Sequence, residues 1–241
     1  QAPMLFTAAF GIHLLVGKYG GLDQKTWGYL HSPKLLATSV VFILAMGLWT
    51  NYFHELADLP NTMQEAFEMI MRNPLGIIAV VIMAPIVEEL LFRGAIQGHL
   101  LRKWKHPAGA IVLSSLIFGV VHGNWVQAPF AFVTGLALGW MYYRTGSLLP
   151  GILMHFVNNS AAVASFLLAD DPNATMVSTY GQTGAALMAA GGMALTIICV
   201  LFIQKKLVPQ PAVWHQPAQA ETIEIENNTL SSQTHSHNEN I

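Results

Sequence analysis

Glu88-Glu89-Leu90-Leu91-Phe92-Arg93-Gly94 lies inside a predominantly apolar stretch from Leu75 to Leu101. A segment of that length and character spans a bilayer, yet it carries two carboxylates and a guanidinium. Ionisable groups at membrane depth are costly, so they pair, face the protein interior and mark function. The rest of the chain reads as a scaffold around them.

Composition agrees. The 241 residues are 53% hydrophobic and only 10% charged, with a mean hydropathy of +0.46; a soluble domain carries roughly a quarter charged residues. The net charge of −2 offers no electrostatic footprint for nucleic acid. The single cysteine, Cys199, rules out an internal disulfide framework and a thiolate metal site. The apolar residues after Gln1 lack a basic leader, so they are not read as a signal peptide.

Apolar runs predict an all-α polytopic membrane bundle of seven spanning helices, near 4–17, 35–52, 74–100, 108–122, 128–143, 148–168 and 184–204. With alternating loops, one side receives Lys18, Lys25, Lys34, Arg102, Lys103, Lys105, Arg144, Lys205 and Lys206. The other receives only Arg72. That asymmetry makes the basic side cytoplasmic and puts the C-terminus inside. A further helix ahead of Gln1 would raise the count to eight and place both ends in the cytoplasm. Residues 53–73 read as an interfacial amphipathic helix, with Met63, Phe67, Ile70 and Met71 at helical spacing and Glu65, Glu68 and Arg72 between them. Gly135-Leu-Ala-Leu-Gly139 lets two helix backbones approach, a packing device. Residues 1–34 form a short span and basic loop, 35–204 the core, and 205–241 a polar tail without periodicity, disordered and cytoplasmic. His235 and His237 in that tail are read as inert.

Three polar positions interrupt the apolar helices. Glu89 and Arg93, four apart, suit an ion pair, while Glu88 is turned about 100° away and free to face a cavity. Carboxylates taken out of water shift toward neutrality, which suits a general base. Phe118 and His122 share a face at the end of the fourth run, and Gly123-Asn124 reads as a helix stop. His155 and Asn159 share a face in the sixth run, with Asn158 turned away. Alone, His122 reads as a helix-end residue and Asn159 as an interhelical hydrogen-bonder. Converged, one Glu, two His and one Asn supply a base, a water site and oxyanion donors, or a ligand set for a divalent metal such as zinc.

The ordered set Glu-Glu-x-x-x-Arg, Phe-x-x-x-His and His-x-x-x-Asn on successive membrane helices resembles the CPBP family of intramembrane proteases. This group contains the type II CAAX prenyl endopeptidases and the bacteriocin-processing and immunity proteins. The resemblance covers residues 35–168. It implies that Glu88 and His122 activate the attacking water, that His155 and Asn159 stabilise the oxyanion, and that Glu89 and Arg93 support the site. It leaves open a zinc enzyme with Glu88, His122 and His155 as ligands or a metal-free glutamate protease. It further implies a hydrophobic or prenylated peptide substrate that enters from the bilayer. His-Glu-x-x-His, Gly-x-Ser-Gly and Gly-x-Gly-Asp signatures of other intramembrane proteases are absent from the sequence. A non-catalytic immunity or scaffold protein of the same fold is the alternative. A transporter with a Glu/His proton relay is a third reading, hinted at by Pro85 three residues before Glu88.

Overall fold

The structure is a computed structural model that describes residues 10–11, 32–57, 64–104, 106–168, 174–212 and 214. It is an all-α bundle whose helices are named here α1 (Pro33–Ala57), α2 (Gln64–Met71), α3 (Pro74–Lys103), α4 (Pro107–Val121), α5 (Ala128–Thr145), α6 (Leu149–Leu168) and α7 (Met176–Leu207). Four of these, α1, α3, α6 and α7, are long and apolar enough to cross a bilayer. The protein is thus a multi-pass integral membrane bundle. The run expected at 4–17 lies outside the described residues except for Phe10 and Gly11.

Small residues set the closest helix contacts. A Cβ on Gly192 of α7 would lie 2.7 Å from the Ala45 carbonyl oxygen and 2.8 Å from Leu48 Cβ of α1. Hydrogen there therefore lets the two backbones touch, as small residues do in membrane interfaces. The Trp49 indole donates to Thr196 Oγ1 at 3.2 Å across the same seam. Glu55, within the segment read from the sequence as an interfacial helix, instead lies in the last turn of α1. Its carboxylate accepts from the Met176 and Val177 amides at 2.7 and 3.1 Å, satisfying free donors at the start of α7. Helix α7 begins earlier than expected because residues 176–180 form a capped turn, separated from the span by Gly181 at φ +69°.

Residues 53–57 continue α1, so the amphipathic helix is limited to α2 and part of the expected 53–73 segment lies outside the described residues. Within α2, Met71 is buried while Met69 is 74% exposed.

The first residues of the expected tail do not stand clear of the core. Arg144, counted from the sequence as a cytoplasmic loop charge, is buried, and its guanidinium donates to the carbonyls of Gln204, Val208 and Pro209. A cation is well placed on the unpaired carbonyls that end a helix. The Trp214 indole donates to the Tyr143 carbonyl at 3.2 Å and its ring lies against Tyr142. The residues after α7 therefore close over the end of α5.

Helix α3 is not regular. Ala79–Met83 and Glu89–Gln97 are π-helical, with α-helical turns around them. Such segments concentrate at functional sites, and the second begins at Glu89.

Candidate active site

Glu88 and Glu89 sit at the junction where α3 passes into its second π segment. Glu89 is completely buried, and its Oε1 lies 2.9 Å from Arg93 Nη1, as the four-residue spacing predicts. The same oxygen is 3.1 Å from His155 Nδ1 on α6. Glu88 Oε2 lies 3.8 Å from the other nitrogen of that ring, Nε2. The two carboxylates therefore converge on one imidazole, one at each nitrogen. The sequence separates their roles by helical angle, and here His155 rejoins them. They still differ in solvation: the Glu88 side chain is 23% exposed and that of Glu89 is 0%.

This geometry selects a His155 tautomer. Glu89, already facing Arg93, is the natural acceptor for Nδ1–H, which leaves Nε2 toward Glu88. In the neutral ring Nε2 and the Glu88 carboxylate are both acceptors. A water at roughly 2.8 Å from each could donate to both.

Phe118 is the hub beside this pair. Its ring lies under the Arg93 guanidinium at 4.5 Å and edge-on to Phe92, His122 and His155 at 5.1, 4.8 and 5.8 Å. His122 ends α4 ahead of Gly123, whose φ of +64° stops the helix as expected. Its Nδ1 is 2.7 Å from the Phe118 carbonyl oxygen. With Nδ1–H donating there, Nε2 is the acceptor in the neutral ring. Glu88 lies about 15 residues back from the end of α3, and His122 about 15 residues on from the start of α4. Both therefore stand roughly 20 Å from the turn that joins these antiparallel helices. A short fourth helix is what brings His122 to the level of Glu88.

The Asn159 side chain bonds elsewhere than to the other site residues. Its Nδ2 donates to the Val80 carbonyl at 2.9 Å, and its Oδ1 accepts from Asn158 at 3.2 Å. Among the described residues, no group of three or more His, Cys, Asp and Glu side chains is arranged to hold a metal. Glu88 and Glu89 address different nitrogens of one ring, and both His122 and His155 pack edge-on to Phe118.

Two contributors are not among the residues singled out from the sequence. Gln97 is completely buried; its Nε2 donates to the Gly139 carbonyl at 2.7 Å and its Oε1 accepts from Ser114 at 3.0 Å. One turn earlier, Arg93 Nη2 donates to the Gly135 carbonyl at 3.3 Å. The two side chains clamp α3 to the glycine pair of α5, and the spacing Glu89, Arg93, Gln97 is the signal that marks Gln97. The second is Gly151: a Cβ there would lie 3.1 Å from Glu89 Oε2. That oxygen has no hydrogen-bond partner among the described residues.

Residues 71–161 match the family model described as type II CAAX prenyl endopeptidase Rce1-like. The chain is 32% identical over 100 residues to YdiL of Bacillus subtilis (strain 168), named as a membrane peptidase; the match covers 42% of this chain and 41% of that protein. It is 33% identical over 115 residues to the membrane-embedded CAAX protease MroQ of Staphylococcus aureus (strain USA300), covering 45% of this chain and 46% of that protein. The matched region is thus less than half the length of either relative. No solved structure matches at a comparable level. The segment matched by the family model holds Glu88, Glu89, Arg93, His122, His155 and Asn159, and in it the chain is similar to the CAAX proteases.

Proposed function

We propose that this chain, through its CAAX-protease segment, is an intramembrane endopeptidase that cleaves hydrophobic or lipidated peptides at membrane depth. The observation that carries the reading is the buried series Arg93, Glu89, His155 and Glu88, in which only the last carboxylate is partly accessible. Glu88 takes a proton from water as the water oxygen bonds to the scissile carbonyl carbon. His122, with Nε2 as acceptor, helps orient that water. Glu88 passes that proton on to His155 Nε2, which it faces at 3.8 Å; the imidazolium so formed is stabilised by Glu89, and its Nε2–H supports the oxyanion. The second Nδ2 hydrogen of Asn159 is the other donor. Collapse of the tetrahedral intermediate expels the amine, which receives the proton that Glu88 relays back from His155.

Zinc would require three ligands around one point. Glu88, His122 and His155 are the residues that would hold it, and no step here runs through a metal. The substrate reaches Glu88 laterally from the bilayer. The substrate class is a hydrophobic or lipidated peptide, in keeping with the similarity to MroQ, which is named a CAAX protease. The topology we attach to this reading has seven spans, α2 at the interface, and the basic side with the C-terminus in the cytoplasm, in accord with the positive-inside distribution. The protease core runs over 35–204.

The test is cleavage of hydrophobic and lipidated peptides by the purified full chain in liposomes, with and without chelator. Cleavage abolished in Glu88→Gln and unaffected by chelator is expected. Cleavage that survives Glu88→Gln, or no cleavage of any peptide, would overturn the reading; loss on chelation would replace the metal-free mechanism.

A further inference from the structure

The first π segment of α3 ends at Met83, and the α-helical turn that follows carries Pro85, a residue that the proteolytic mechanism leaves without a task. The Ala84 amide donates to the Ala79 carbonyl, five residues back. That choice leaves the carbonyl of Val80 without the donor it would have in an α-helix. The next amide that a π-helix could offer Val80 is that of residue 85, and proline has none. Val80 oxygen therefore lacks an intrahelical donor on both counts. In a membrane helix such a freed carbonyl must be satisfied by a neighbouring group, and here Asn159 Nδ2 supplies the bond at 2.9 Å.

We infer that Pro85 is a positioning residue: it frees the Val80 carbonyl so that this oxygen orients the Asn159 carboxamide. The inference rests on the proposed oxyanion role of Asn159 for its functional consequence, but the contact stands apart from that role. A carboxamide nitrogen has two hydrogens. Committing one to Val80 fixes the amide plane and the identity of its nitrogen end, so the second hydrogen points in one direction. Without that anchor Asn159 can rotate or flip and present its oxygen instead, and an oxygen repels an oxyanion. The other acceptor bond in the group, Asn158 Nδ2 to Asn159 Oδ1 at 3.2 Å, reinforces the same orientation by occupying the oxygen end. Asn158 and the Val80 carbonyl thus read the two ends of the Asn159 amide separately. In this reading Pro85 is a defect of α3 that serves α6.

The prediction is coupling between positions 85 and 159, read in two ways on the purified full chain. Pro85→Ala restores an amide that can serve the Val80 carbonyl and removes the need for Asn159. Asn159→Ala should lower the thermal midpoint by a few degrees in the native background and by much less in the Pro85→Ala background. In peptide cleavage, Pro85→Ala should lower kcat at least tenfold with KM within twofold of native, and should have little further effect once Asn159 is alanine. Asn159→Asp keeps the shape but cannot donate to Val80, so it should lose kcat as fully as Asn159→Ala; this variant decides the matter if Pro85→Ala does not fold. Additive effects in both readouts, a change confined to KM, or full activity in Asn159→Asp would overturn the inference. Coupling in the thermal midpoint together with no cleavage by the native chain would support the Pro85–Val80–Asn159 contact and overturn the proteolytic reading instead.

Discussion

Arg93 offers the sharpest energetic test of how the site is held. Its side chain is 1% exposed and that of its partner Glu89 is 0%. Removing the guanidinium, as in Arg93→Met, leaves the Glu89 carboxylate buried beside Glu88 with no cation fixed against it. Breaking a buried pair from one side costs about 3–5 kcal/mol, because the remaining charge is uncompensated. Loss of the cation over the Phe118 ring adds roughly 0.5–2 kcal/mol. Chains of this length lose roughly 2–4 °C of thermal midpoint per kcal/mol, so a fall on the order of 10 °C is expected. Arg93→Lys keeps a charge but cannot hold Glu89 and the Gly135 carbonyl together, and about 1–2 kcal/mol is expected from the lost hydrogen bond. Removing both charges, in Glu89→Leu with Arg93→Met, should recover much of the single-variant loss, since no orphan charge remains. Thermal unfolding of the purified variants in detergent micelles reads all three. A double variant that loses the sum of its two single variants, or an Arg93→Met no worse than Arg93→Lys, would refute the reasoning.

Three further outcomes follow from particular contacts. Gly151→Ala places a Cβ at 3.1 Å from Glu89 Oε2; displacement of that carboxylate from His155 should cost about 1–3 kcal/mol and lower kcat, checked by thermal melts and peptide cleavage together. Gln97→Leu leaves the Gly139 carbonyl and the Ser114 hydroxyl without their shared partner, and a loss of about 1–3 kcal/mol should appear in the same melts. Arg144→Met releases three carbonyls after α7, so limited proteolysis near residues 208–214 should become at least severalfold faster while the core stays intact.

Much of this architecture is legible in the sequence because hydropathy and helix-end signals are local. The run expected at 108–122 is α4 at Pro107–Val121, and the Gly123 stop falls where it was read. The Glu89–Arg93 pair follows from a spacing of four and survives even in a π segment. What the sequence withholds depends on partners distant along the chain. Glu55 and Arg144 look like ordinary surface charges until their helix ends arrive from 121 and 60–65 residues away. The convergence of Glu88 and Glu89 on His155 escapes a regular 100° helix, since both ring nitrogens are used. The π segments escape it too, because they depend on which backbone donor reaches which carbonyl; in the first, the Val80 carbonyl takes its donor from Asn159 on α6. Gln97 was visible in principle as the next step of the Glu89, Arg93 stripe, but an uncharged amide draws less notice than an ion pair.

The central claim is a division of labour between adjacent carboxylates: Glu88 reacts and Glu89 supports. The measurement that tests it most directly compares Glu88→Gln with Glu89→Gln in peptide cleavage and thermal unfolding of the full chain. The account predicts that Glu88→Gln folds with a nearly native midpoint and loses cleavage by at least a hundredfold, while Glu89→Gln loses several degrees of midpoint because Arg93 is left unpaired. A Glu88→Gln variant that still cleaves, or a Glu89→Gln variant as stable as the native chain, would contradict it.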